Sequence, residues 1–487
     1  MKTLNNAVIG NRVERPIKVV QFGEGNFLRA FVDWMLQELN DAGIYHGDVA
    51  VVQPQAGGRV KDLAVQDGLY TLVQEGMKEG KFVANTQVIN VLREFVNPYE
   101  DYEAYLKLAE IETLELMFSN TTEAGIVLDE SDTIHTGTPQ TFPGKVLAFL
   151  YHRYQKFAGA LDKGLFIVPC ELIDDNGDEL HHCIKRLAEV HQLEAGFMNW
   201  LDEANTFTNT LVDRIVPGYP VSRIDELTKK FGYVDNNIVM GEIFHLWVIE
   251  DRGGIGRILA GAKADLNMVF TKDIKPYKIQ KVRILNGLHT LMVPVAYLKG
   301  IDTVGDAMKD ELMLKFIKNT TDLEIIPATE QYLSKETLTT FANEIYDRFN
   351  NPQIHHELMA IALNSTAKFK SRLLPTALDY VKAKGRFPSH MAFALASMLV
   401  FFKGVRNGAP IHLQDEKQFL DFYADIWAKY DANTLDVRGV ASAFLGLASH
   451  WETDLNTITG LTDQLTDTVE TILADGMEIA LTNFLAE

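Results

Sequence analysis

Apolar and polar positions divide the chain into two textures. Residues Ile17–Phe22, IKVVQF, form an apolar, β-branched run that stops at Gly23, as a strand covered on both faces does. From Asn26 to Leu39 the apolar residues Phe27, Ala30, Phe31, Trp34, Met35 and Leu39 fall on one face of a helix. Val49–Gln53 is a second buried-strand candidate. Strand, helix, strand predicts a βαβ unit and a parallel sheet. Further strands are expected at Leu69–Val73, Leu116–Ser119, Leu165–Val168, Phe244–Ile249 and Met268–Thr271, between helices such as Tyr102–Leu108 and Pro143–Phe157. From Lys278 to Glu487 the period is helical in nearly every window, for example Leu312–Ile317 and Met391–Phe402. Breaks fall at Asn350-Asn-Pro352, Pro388 and Gly408-Ala-Pro410. The pattern predicts an α/β N-terminal domain with a parallel sheet over residues 1–277 and a mainly α-helical domain over 278–487.

A chain of 487 residues exceeds one ordinary core, in keeping with this division. No run approaches the roughly 18 apolar residues of a membrane span, and the first residues lack the apolar stretch of a signal peptide. The expectation is a cytoplasmic protein without membrane attachment. Two cysteines, Cys170 and Cys183, are too few for a disulfide framework and are expected to be reduced. The formal net charge of -20 repels phosphate backbones, which argues against nucleic acid as partner. An acidic substrate would then need lysine or arginine concentrated locally.

Two segments carry candidate chemistry. Gly23-Glu-Gly25-Asn-Phe27 stands between strand and helix, where a bare turn lets a phosphate approach the backbone. Leu28 occupies the place of the third small residue of the dinucleotide fingerprint, so the motif is incomplete, and a tight turn with no ligand is the alternative. Gln53, not a carboxylate, ends the second strand where a ribose-binding acid is usual, and Arg59 nearby leaves a 2′-phosphate open. The second segment is Lys281-Val-Arg-Ile-Leu-Asn286-Gly-Leu-His289. On an α-helix Asn286 lies about 140° and His289 about 80° round from Lys281, one broad face that would point into a cleft. A lysine there can move the hydroxyl proton as hydride moves at carbon. The asparagine amide can hold the reacting oxygen, and the histidine can add a second hydrogen bond. The alternative is a solvated face. Asp174-Asp-Asn-Gly-Asp178 reads as a polar turn and His355-His-Glu357 as surface. No metal site is expected.

QFGEGNFLRAF, Ser119-Asn-Thr-Thr-Glu-Ala-Gly125, Asp162-Lys-Gly164, Pro169-Cys-Glu-Leu-Ile173, Val212-Asp-Arg-Ile-Val-Pro217 and KVRILNGLH together resemble the mannitol dehydrogenase family of long-chain polyol dehydrogenases, over most of the chain. The resemblance implies a Rossmann-type N-terminal domain, a helical C-terminal domain and metal-independent, NAD-linked chemistry. It implies Lys281 as general acid/base, Asn286 as the amide polarising the reacting oxygen, and His289 as a substrate hydrogen bond. Phe22, Gly23, Gly25, Asn26, Phe27, Gln53, Thr122 and Glu123 fall to the cofactor, and Asp213 and Lys368 to the substrate. Leu172 stands where mannitol dehydrogenases have a second asparagine, and Ala360 where they have an arginine. Both departures point away from mannitol. The motifs look closest to members acting on sugar acids, which implies interconversion of tagaturonate and altronate in hexuronate catabolism. Fructuronate or a mannitol-type polyol is the alternative within the class, and a non-redox nucleotide-binding protein the alternative outside it. Arg283, Lys278, Lys370 and Arg372 are candidates for the uronate carboxylate. A monomer or small homo-oligomer is expected.

Overall fold

The structure, a computed structural model, describes residues 1–10, 12–121 and 125–486. It comprises two compact units, Met1–Glu75 with Val83–Ile274, and Gly76–Phe82 with Lys275–Glu487.

In the N-terminal unit the strands β1 (Ile17–Phe22), β2 (Asp48–Val52), β3 (Leu92–Val96), β4 (Leu116–Ser119), β5 (Phe166–Pro169) and β6 (Thr206–Phe207) form one sheet in the order β3-β2-β1-β4-β5-β6. Every neighbouring pair is parallel. This is the doubly wound Rossmann order, which reverses between β1 and β4, and such sheets bind ligands beyond the strand ends at that reversal. The strands read as unbroken apolar runs because both faces are covered. Val19, Val49, Val51, Leu116 and Phe118 enter one core with the helix Val32–Asp41. Val20, Phe22, Ala50, Val52 and Met117 enter the other with the helices Phe142–Lys156 and Asn176–Val190.

Three details depart from the sequence reading. The helix expected from Asn26 to Leu39 is two helices, Asn26–Ala30 and Val32–Asp41. Phe31 breaks it, with its ring between Phe27 and Trp247 in the core. Strand β3 escapes the reading because it is an edge strand whose Arg93 and Glu94 interrupt the apolar pattern. Arg93 pairs with the buried Asp48 at 2.6 Å. The remaining strands belong to two smaller sheets. Tyr70–Lys78 lies between Lys81–Ile89 and Val239–Glu242. Leu246–Glu250 pairs parallel with Met268–Thr271 and antiparallel with Thr210–Asp213.

The C-terminal unit is helical among its described residues, apart from the short pairing of Val405–Arg406 with Ala409–Pro410 and the hairpin tip Gly76–Phe82. Glu79 and Gly80, at φ 53° and 73°, make that tip a two-residue turn of the twist hairpins favour, and the Gly80 N–H donates to the Asp347 carboxylate at 3.2 Å. In the helix Ser389–Phe401 every residue from His390 onward is buried, the pattern of an element surrounded by others. The buried Glu324 carboxylate satisfies its first turn, accepting the N–H groups of His390 at 2.7 Å and Met391 at 3.0 Å. No described helix is long and apolar enough to cross a membrane.

Candidate active site

The glycine turn follows β1 at the reversal of strand order. Gly23 has φ 126°, and a Cβ there would lie 3.0 Å from Leu28 Cδ1 and 3.2 Å from the Asn120 carbonyl oxygen. Leu28 thus fills the space that Gly23 leaves empty, which accounts for the incomplete fingerprint. Gly25 is exposed, and a Cβ on it would meet nothing within 4 Å. Backbone at this turn is accessible to a phosphate, the fit a dinucleotide requires. The turn is held from below by buried polar groups. Gln21 donates to the Gly23 carbonyl at 3.0 Å, and Arg29 donates to the Glu24 carbonyl at 3.1 Å and to Asn26 Oδ1 at 2.7 Å. Tyr70 donates to the Arg29 carbonyl at 2.7 Å and Gln21 to Asp33 Oδ2 at 3.4 Å. Burial pushes the Asp33 carboxyl up to about 7.

A cleft of ≈ 790 Å³ opens from the turn, lined among others by Glu24, Gly25, Asn26, Gly57, Arg59 and Tyr219. The sequence candidates divide around it. Gly25 and Asn26 line it. Phe22 does not, since its ring packs edge-on against Tyr105, Phe142 and Phe149 in the core and only its backbone is near the turn. The Phe27 ring stacks on Phe31 at 4.9 Å. Gln53 is 2% exposed and donates to the Gln55 and Ala56 carbonyls while accepting from the Val60 N–H, so its amide closes its own loop. The side chains of Phe22, Phe27 and Gln53 are thus engaged within the fold. Thr122 and Glu123 lie outside the described residues. Nearby, the buried Glu171 accepts from Ser119 Oγ, Thr121 N and Thr121 Oγ1, each at 3.0 Å, and fixes the end of β4. Leu172 is 61% exposed. Asp213 is buried at the end of its strand opposite Leu246. Its neighbour Arg214 lies over the Trp34 ring at 4.4 Å and donates to the Glu242 and Ala30 carbonyls, a packing role.

In the C-terminal unit a single helical run contains Lys275–Gln280, Lys281–Asn286 and Gly287–Lys299. Pro276 sits in its first turn, where no N–H is needed, and Gly300 ends it at φ 106°. The middle segment is a π-helix, and the Gly287 N–H reaches back to the Val282 carbonyl, five residues earlier. A turn widened by one residue advances roughly 80° per residue, so Lys281 and Asn286 lie about 40° apart instead of about 140°. Both are half-buried. The sequence supplied the residue types, and the widened turn gathers lysine and asparagine onto one side.

His289 stands one residue triplet further. Its ring stacks on Phe349 at 4.3 Å and meets His356 edge-on at 5.1 Å. Its Nε2 is buried with no hydrogen-bond partner among the described residues. Burial, and behind it the positive field of His356, Arg348, Arg372 and Lys368, holds its pKa well below the ordinary histidine value, so the ring is neutral. Lys368 donates to the Ile361 carbonyl at 2.8 Å and Arg372 to Thr290 Oγ1 at 3.3 Å. These basic groups concentrate positive charge locally in a chain of net charge -20. His356, read as surface, is half-buried against His289, whereas His355 beside it is exposed. Arg348 and His356 escape the sequence reading because nothing local marks them. Of the carboxylate candidates, Arg283 has partners within the chain. Its guanidinium is buried, donates to Asp379 at 2.6 Å and to the Ala328 carbonyl at 3.2 Å, and lies over Tyr332, which leaves it committed. Lys370 pairs with the exposed Glu452. Among the described residues no group of three His, Cys, Asp or Glu is placed to hold a metal.

Comparison with known proteins adds identity to this geometry. Residues 17–258 match the mannitol dehydrogenase Rossmann domain, and residues 273–473 the mannitol dehydrogenase C-terminal domain. The chain is 44% identical over 484 residues to an altronate oxidoreductase of Bacillus subtilis (strain 168), covering 99% of this chain and 98% of that one. It is 41% identical over 482 residues to an altronate oxidoreductase of Yersinia pestis, covering 99% of each. Among solved structures, D-sorbitol dehydrogenase in substrate-free form aligns over 99% of this chain and 100% of that one, at 24% identity and a TM-score of 0.79. Pseudomonas fluorescens mannitol 2-dehydrogenase, in a ternary complex with NAD and D-mannitol, aligns over 100% of both at 22% identity and a TM-score of 0.65. These two likenesses concern the fold.

Proposed function

The chain belongs to the mannitol dehydrogenase family, and on that premise we propose that it interconverts tagaturonate and altronate, using NADH and NAD. The relatives at 44% and 41% identity support the substrate, since both are altronate oxidoreductases over their full length. The single observation that carries the chemistry is the widened turn that gathers Lys281 and Asn286 one turn before the unpartnered Nε2 of His289.

Bound NADH supplies the hydride to the ketone carbon. Protonated Lys281 gives its proton to the ketone oxygen, so that carbonyl, hydride and proton together make the secondary alcohol, and the reverse direction returns the proton to the Lys281 amine. Asn286 donates its amide N–H to the oxygen on which charge develops. Neutral His289 offers Nε2 to a substrate hydroxyl, satisfying a buried atom that is otherwise orphaned. Arg348, Lys368 and Arg372 stabilise the uronate carboxylate through the field they share at His289.

NADH oxidation measured with tagaturonate and fructuronate side by side, and with NADPH in place of NADH, tests the reading. Tagaturonate with NADH is expected to give the highest kcat/KM. Preference for fructuronate would reassign the substrate, and absence of turnover with every keto-hexuronate would overturn the function.

A further inference from the structure

We propose that Glu24, the residue between the two turn glycines, is the carboxylate that selects NAD over NADP; this rests on the dinucleotide reading of the cleft. Doubly wound sheets ordinarily place an acid at the end of the second strand to bind the adenosine ribose 2′-hydroxyl. Gln53 holds that place and spends its amide on its own loop. Glu24 reaches the same place from the glycine turn. Its Oε1 accepts the Arg59 N–H at 2.8 Å, and a Cβ on Gly58 would come within 2.3 Å of Oε1 and 2.4 Å of Gln53 Cγ. The carboxylate therefore lies over Gly58, beside the end of β2, and it lines the cleft with Gly25 and Gly57. A carboxylate with one oxygen satisfied by a backbone N–H retains acceptor capacity for a ribose hydroxyl.

The same arrangement disfavours a 2′-phosphate. Arg59 is the cation that would welcome one, but its Nε donates to Asp62 Oδ2 at 2.7 Å, and Asp62 also lines the cleft. Glu24 and Asp62 together set two negative charges beside a group carrying nearly two more. Arg59 alone, read from the sequence, left NADP open, and its pairing with Asp62 weakens its pull on a 2′-phosphate.

Equilibrium binding separates this from catalysis. Calorimetric titration with 5′-AMP and 2′,5′-ADP, and fluorescence titration with NADH and NADPH, are applied to the wild type, Glu24→Gln and Asp62→Asn. Glu24→Gln is expected to weaken NADH and 5′-AMP about tenfold, the loss of one charged hydrogen bond, and to narrow the NADH-to-NADPH ratio at least as much. Asp62→Asn, at a half-buried position, is expected to strengthen NADPH and 2′,5′-ADP by a larger factor than it changes NADH and 5′-AMP. An unchanged ratio in both variants, with NADH still bound, overturns the role of Glu24 and leaves the dehydrogenase intact. Failure of the wild type to bind either coenzyme overturns the dinucleotide reading itself.

Discussion

The glycine turn at Gly23–Gly25 and the widened turn at Lys281–Asn286 both interrupt regular structure, with opposite results. The first removes side chains, so that backbone is what a ligand meets, and a polar network of Gln21, Arg29, Asp33 and Tyr70 holds that backbone from behind. The second adds a residue to a helical turn, so that side chains meant for different faces converge. On the proposed function, the coenzyme pyrophosphate is met by backbone at the first turn, whereas the substrate is met by side chains at the second. Changes at the first turn should therefore alter coenzyme affinity, and changes at the second should alter turnover.

The largest expected effect tests the second turn. Lys281→Ala should lower kcat about 10³-fold, the middle of the range for a general acid–base group, while the NADH dissociation constant stays at the wild-type value. A loss below about tenfold would remove Lys281 from the chemistry, because buffer rarely replaces a positioned proton donor so well. Next in size is Arg283→Ala, two residues along the same helix. It removes the nearest cation from the largely buried Asp379, which keeps Lys382 at 3.5 Å and the Tyr332 hydroxyl at 3.3 Å, and should cost about 2 kcal/mol of unfolding free energy in denaturant titration. The KM for the sugar acid should not move. A raised KM with unchanged stability would return Arg283 to the substrate.

Particular residues show how far the chain could be read in advance. IKVVQF and LMFS were legible because strands buried on both faces are apolar throughout. Leu92–Val96 was not, since its wet edge positions look like loop. The chemistry at Lys281, Asn286 and His289 was legible as residue types, whereas one extra residue in a helical turn leaves no mark in composition or period. The surroundings of His289 come from residues 348, 349, 356, 368 and 372, which the fold gathers from 59 or more positions downstream. Leu28 was visible as an anomaly, and only the missing Cβ of Gly23 explains it.

The two regions should also answer pH in opposite senses. Asp33 is raised to about 7 in the folded chain against an ordinary 3.8, so the folded state holds its proton while the unfolded state has lost it, and stability falls as pH rises from about 4 to 7. His289 is depressed below 6.5, so the unfolded state takes up a proton that the folded state refuses, and stability falls as pH drops below 6.5. The stability difference between wild type and Asp33→Asn should therefore shrink by about 2 kcal/mol between pH 5.5 and 7.5. The difference between wild type and His289→Phe should instead grow as pH rises toward 6.5 and shrink as pH falls below it. Identical slopes in both variants would mean that neither group titrates differently on folding.

The smallest effect discriminates most sharply at the first turn. Gly25 has φ −67° and ψ 167°, a conformation open to any residue, and a Cβ there meets nothing within 4 Å. Gly25→Ala should therefore fold at least as well as the wild type, with a gain of up to roughly 1 kcal/mol from a stiffer unfolded chain. The added methyl nevertheless stands on the bare backbone that a pyrophosphate must approach, and NADH affinity should fall about tenfold. Gly23→Ala cannot make this distinction, because φ 126° and the Asn120 carbonyl would confound folding with binding. Unaltered NADH affinity in a stable Gly25→Ala would mean that this glycine is bare for the sake of the chain alone, and the contrast between a backbone site and a side-chain site would dissolve.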